Sequence, residues 1–378
     1  MKEQRARILK LVEDGKLSVE EALTLLEGLE SVRENKEEQF STYVKVNEAG
    51  TESQADAEAE AGKKDESYYK FQSAKEKVFE FVDSAFKKLK EIDIDFNFGK
   101  SIEIAHIYQQ PNTDFHDLDV HIANGSVRLI PWDQEEVRVE CQAKIYRVET
   151  LEEARTTFLQ GVVFSIENNC LTFQTQHKWM KVEAKMFIPQ ADYDKVRVRL
   201  YNGPISAENM KIKDLKMDTA NGKIIIDNLQ GQKAEVETAN GRIQVKKSFI
   251  EEFEAETING AIKFEGDIQK GNLHTFNGNI VCAISGTTCE TLTLKATTGN
   301  IDLHVPEEIA VSGELRSNLG SFNVKLDGLQ ITEEKSEMVQ KYLRFETIKQ
   351  MEKVVHVNSE TKTGTIRIKP LDRDQNLF

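Results

Sequence analysis

The chain has 378 residues, enough for two or three domains, with 50 Lys and Arg against 64 Asp and Glu. The net charge of −14 argues against a nucleic-acid partner, because phosphate binding calls for a basic patch. There is no N-terminal apolar signal core and no run of eighteen apolar residues, so the expected compartment is the cytoplasm. Cys141, Cys170, Cys282 and Cys289 lack metal-type spacing and read as reduced thiols.

Residues 1–30 read as a helical hairpin. Ile8, Leu9, Leu11 and Val12 give the first helix its apolar side, and Asp14-Gly15 breaks it. Ser18 with Glu21 forms a capping box that opens the second helix, whose apolar residues include Leu23 and Leu26. Two such short helices cannot bury enough surface alone. A protein partner is therefore expected at Leu9, Leu11, Val12, Leu23 and Leu26. A DNA-reading helix pair is disfavoured, since this segment holds five Lys and Arg against seven Asp and Glu.

Residues 31–66 are polar and acidic, with few large apolar groups, and read as a disordered linker. Residues 67–91 then carry Phe71, Val78, Val82 and Phe86 at helical spacing, with Phe79 nearby and Lys87 and Lys88 among the basic residues of the other side. That pattern fits either a helix capping a repeat domain or peripheral contact with an anionic membrane.

From 92 to 378 the sequence is mainly β, and a β-solenoid of 19–21-residue repeats is expected, in about seven to nine coils. Thr219-Ala220-Asn221-Gly222 recurs at Thr238, Thr257 and Thr275, with starts 19, 19 and 18 residues apart. Weaker copies stand at Asn124-Gly125, Asn202-Gly203, Thr298-Gly299, Leu319-Gly320 and Thr363-Gly364. Alternation around each copy, such as Ile224 and Ile226 or Ile243 and Val245, predicts short strands with one buried face. Asn-Gly reads as a sharp bend that exploits positive φ, with a Thr or Asn ladder at the corners. Between about 118 and 200 the period is lost, leaving ordinary antiparallel sheet and coils with insertions as alternatives.

Outward positions beside the repeated phrase stack acids: Asp218, then Glu235 and Glu237, then Glu254 and Glu256. A solvated face accounts for them, and a docking stripe for a cationic peptide is the sharper alternative. No catalytic, cofactor or metal site emerges, since the seven histidines form no ligand cluster and no phosphate-binding glycine loop occurs. Trp179 in His177-Lys178-Trp179 is expected on an edge strand, packed against the core.

The chain resembles a bacterial family of adhesin-like β-strand-repeat proteins, closest to the YvlB/LiaX type. The likeness rests on the segment from Ile8 to Ala22, the stretch from Gln176 to Val182, Tyr201-Asn202-Gly203-Pro204-Ile205 and the Thr-x-Asn-Gly series. It implies a non-catalytic regulator or sensor of the Gram-positive cell-envelope stress response. The alternatives are a carbohydrate-active β-helix enzyme and a self-assembling structural solenoid. Liposome flotation tests the membrane reading: the full chain should float with anionic vesicles, and a Phe71→Ser, Phe79→Ser, Phe86→Ser variant should not. Equal flotation of both chains, or of neither, excludes these residues as a lipid anchor.

Overall fold

The computed structural model describes residues 100–372 apart from 112, 176, 338–339 and 349–352. The expected hairpin, linker and amphipathic helix of residues 1–91 lie outside the described residues, with every candidate side chain placed on them.

The repeats form a solenoid. Strands β8 (Ile205–Asn221), β9 (Ile224–Asn240) and β10 (Ile243–Asn259) each run through a bend, and each pairs in parallel with the next. Like residues fall over like: Ile205, Ile224, Ile243 and Ile262 are in register, as are Thr219, Thr238, Thr257 and Thr275. The isoleucine column continues through Ile280, Ile301 and Ile366, all fully buried. Side-chain sizes compensate where they vary along the axis. Phe253 lies between Ala234 and Gly271 in register, and its ring packs 5.1 Å from Phe264.

The glycines of the repeated phrase form a second column. A Cβ built on Gly222 would sit 1.9 Å from the Gly203 carbonyl oxygen, and Gly241, Gly260 and Gly278 repeat this at 1.8–1.9 Å. Close approach of successive coils, rather than positive φ, therefore requires glycine at these four positions. Left-handed non-glycine residues of the repeats stand at another corner: Asn209 (φ 55°), Asn228 (φ 56°) and Lys247 (φ 48°).

A Thr or Asn ladder is expected, and both residues form one. Asn202, Asn221, Asn240, Asn259 and Asn277 each donate from Nδ2 to Oδ1 of the asparagine one coil below, at 2.7–2.9 Å. The buried hydroxyls of Thr219, Thr238, Thr257 and Thr275 each donate to a glycine carbonyl of the preceding coil, at 2.9–3.1 Å. Each such bond contributes about 1 kcal/mol and satisfies the hydroxyl of its threonine.

Spatial order departs from chain order at both ends. The C-terminal strands β19 (Val354–Thr361) and β20 (Thr365–Pro370) lie between the coil of β13 (Thr291–Thr298) and β14 (Ile301–Val305) and that of β15 (Ala310–Ser317) and β16 (Ser321–Val324). The glycine column records this order, with Gly364 on the Gly299 carbonyl and Gly320 on that of Gly364. At the other end β2 (Asp117–Trp132) lies between β7 (Asp192–Asn202) and the coil of β5 (Cys170–Thr175) and β6 (Met180–Pro189). The aperiodic stretch from 118 to 200 therefore contains true coils, taken out of sequence. It also contains antiparallel sheet.

Antiparallel strands close both described ends. At one, β3 (Glu136–Tyr146) joins β6 to β1 (Ser101–Pro111). Helix α1 (Leu151–Gly161) covers it, capped by Thr150 and burying Ala154 and Phe158, with the Phe158 ring 5.7 Å from His106. At the other end the hairpin of β17 (Leu329–Ser336) and β18 (Lys341–Thr347) pairs with β15. Residues 67–91, expected either to cap the solenoid or to touch a membrane, lie outside the described residues; among those described, these strands and α1 close the ends. Trp179 lies in the turn before β6, not on a strand, and stacks on His177 with centroids 4.7 Å apart.

The glycine column gives a direct test. Gly241→Ala should lower the free energy of unfolding by about 3 kcal/mol or more, because backbone on backbone cannot yield. Asn240→Ala, one residue away and exposed, should cost about 1 kcal/mol. Urea denaturation of the two variants measures the difference.

Candidate functional site

The acidic residues singled out in the sequence fall into two adjacent columns on one outer face. In the first, Arg197, Lys216, Glu235, Glu254 and Asn272 are in register; in the second, Arg199, Asp218, Glu237, Glu256 and His274. The strand period places all five predicted acids together. It also brings in Arg197 and Arg199, which the sequence reading missed because the repeated phrase weakens before 203. Together with Lys216 they supply three bases to these columns.

The columns are less solvated than outward positions suggest. Asp218 is 3% exposed and Glu256 6%. Lys216 sits at the centre: its Nζ bonds to Glu235 Oε1 and lies 3.7 Å from Glu237 Oε1 and 3.9 Å from Asp218 Oδ1. Arg199 Nε is 3.7 Å from the other Asp218 oxygen, and His274 Nδ1 is 3.9 Å from Glu256 Oε1. Asn272 Nδ2 donates to Glu254 Oε1 at 3.4 Å. Much of the acidic charge is thus spent within the face, leaving less for a cationic peptide than the sequence implies.

Burial also redistributes protons. It raises the Asp218 carboxyl against the pull of Lys216 and Arg199. Burial opposes ionisation of Glu235 as well, but the hydrogen bonds from Lys216 and Glu237 and the charges of Lys216 and Lys233 together outweigh it and lower the group. Glu237 is pushed to about 8 by burial, by its hydrogen bond with Glu235 and by Asp218. At neutral pH Glu237 holds a proton that it shares with ionised Glu235. Among the described residues no group of three His, Cys, Asp or Glu is arranged to hold a metal ion.

The thiols are not activated. Burial pushes Cys141 and Cys289 up to about 12 and raises Cys282 further, so all three behave as small apolar groups.

The Glu237 shift has a measurable consequence. Between its ordinary value of 4.5 and about 8 the folded chain keeps a proton that the unfolded chain has lost. Stability therefore falls as pH rises through this window. Glu237→Gln should flatten that decline and stabilise the protein at pH 8 by on the order of 1–2 kcal/mol relative to pH 5, read from denaturant midpoints.

Residues 115–369 match the family described as Toastrack DUF4097. Residues 3–34 match a SHOCT-like domain. The chain is 45% identical over 369 residues to the uncharacterized protein YvlB of Bacillus subtilis (strain 168), covering 98% of this chain and 99% of that protein. Two crystal structures are also similar. A "putative adhesin" from Bacteroides fragilis has 14% identity and a TM-score of 0.36, with 71% of this chain and 97% of that one covered. A "putative lipid binding protein" from Parabacteroides distasonis has 10% identity and a TM-score of 0.29, with 71% and 97% covered. The coil columns, the Toastrack match across most of the chain and the full-length similarity to YvlB place this chain in the Toastrack DUF4097 family, as a YvlB-type member.

Proposed function

We propose that this protein is a non-catalytic regulator or sensor of the Gram-positive cell-envelope stress response. It works in the cytoplasm, peripheral to the membrane, and engages a protein partner through its N-terminal segment while the Toastrack body supplies a rigid binding surface. The observation that carries this reading is the joining of two modules in one chain, a SHOCT-like segment at 3–34 and a Toastrack body at 115–369. The build of the body supports it. The acidic columns hold their carboxylates against Lys216, Arg199 and His274, which favours a role in stacking coils over one in bond cleavage.

The test uses the full chain and a Leu9→Asp, Leu23→Asp, Leu26→Asp variant as baits in a Gram-positive host exposed to a cell-wall-active antibiotic. The variant should lose the principal partner while keeping its β-type circular dichroism, and a host expressing it should lose the induction of an envelope-stress reporter. An unchanged partner set with unchanged induction would refute the regulatory reading.

A further inference from the structure

We propose that a cleft beside the first left-handed corner of the solenoid binds a neutral oligosaccharide. The site lies away from the acidic columns, and the inference stands independently of the partner reading above.

The cleft arises from the topology. Strand β2 pairs with β8 only as far as Leu129 and Ala207. Beyond that point β8 turns the corner at Asn209, whereas β2 runs on beside β6 through Pro131 to Trp132. Trp132 is fastened there, donating from Nε1 to the Glu136 carbonyl at 2.8 Å and packing 5.3 Å from the Phe187 ring. One coil thus omits its corner, leaving a cleft of about 540 Å³ with Pro131 and buried Met210 in its lining.

The lining is pre-formed and rich in uncommitted hydrogen-bonding groups. Gln190, in the connection after β6, and Asp192, the first residue of β7, are held by the Gln190 amide on the Trp132 carbonyl (3.0 Å) and by the Tyr193 hydroxyl on the Pro189 carbonyl (2.6 Å). Opposite them, Asn228 Nδ2 donates to Asn209 Oδ1 at 2.8 Å, which leaves Asn228 Oδ1 to accept and Asn209 Nδ2 to donate. Lys211 Nζ stands 3.8 Å from Asp192 Oδ1, a loose exposed pair that retains donors and acceptors for a ligand.

An aromatic ring completes the row. Asp192, Lys211, Gln230 and Phe249 occupy successive coils in register, and Phe249 is 42% exposed. Coil spacing of about 4.8 Å makes this row roughly 14 Å long, suited to several linked rings rather than one. A sugar presents hydroxyl edges that both donate and accept, together with apolar C–H faces. Amides and a loose ion pair at the edges, with Phe249 and Pro131 against the faces, match both features. A phosphorylated ligand fits less well, because Lys211 faces Asp192.

The test is saturation-transfer NMR on the full chain with three probes at millimolar concentration: the linear trisaccharides of glucose, N-acetylglucosamine and mannose. At least one should receive saturation, strongest at its C–H faces. Phe249→Ser should weaken that binding about tenfold, as should Asn228→Gly, which removes the amide while permitting the left-handed backbone. The wild-type urea midpoint should be retained in Phe249→Ser and lowered in Asn228→Gly only by the loss of one exposed amide bond, and Glu254→Gln on the acidic face should bind normally. Absence of saturation with all three sugars, or undiminished binding in both cleft variants, overturns the proposal.

Discussion

The separation of successive coils at the glycine column governs the rest of this molecule. Backbone approaches backbone so closely there that a single methyl group would fall inside a carbonyl oxygen of the coil below. Strand spacing in a parallel sheet is fixed near 4.8 Å by its hydrogen bonds, so the turn must tolerate that spacing without side chains. Once it does, every other column is aligned. Isoleucine falls on isoleucine inside, threonine hydroxyls reach the glycine carbonyls below, and asparagine amides bond in a continuous line. The repeated phrase is thus one device with three parts: contact, satisfaction of a buried donor, and registration at the surface.

Stacking of this kind has no natural end, since the last coil offers an open edge to the next chain. Here the described ends are closed by turning strands antiparallel and by taking one coil at each end out of sequence. The insertion of β19 and β20 ties residues 354–370 to partners on both sides, so the C-terminal coil is held within the stack rather than at its rim. Contacts this distant in sequence raise the entropic cost of forming the ends relative to the central coils. The central repeats, with nearest-neighbour contacts, carry the local order.

The charged columns follow from the same alignment. Parallel in-register stacking forces like positions together, and like charges would repel along the axis. Arg199 on one side of the acids and Lys216 among them relieve that repulsion, and Glu237 relieves the remainder by keeping a proton. The corner face is built differently. Its groups are amides and a loosely held pair, and the missing corner of β2 leaves them facing an open cleft.

The sequence alone determined the solenoid, its inward isoleucine and valine columns, a polar ladder at the corners and the grouping of Asp218, Glu235, Glu237, Glu254 and Glu256. All of these are consequences of a local period, which a linear string displays directly. Tertiary structure alone decided the insertions at both ends, α1 and the antiparallel caps, because pairing between segments dozens of residues apart leaves no periodic trace. It also decided that Gly222 and Gly241 are required by contact rather than by φ, since closeness of another coil is invisible from within one. The same reason hid the corner cleft: Pro131, Gln190, Asn209 and Asn228 are far apart along the chain, and only the departure of β2 from the stack brings them to one surface.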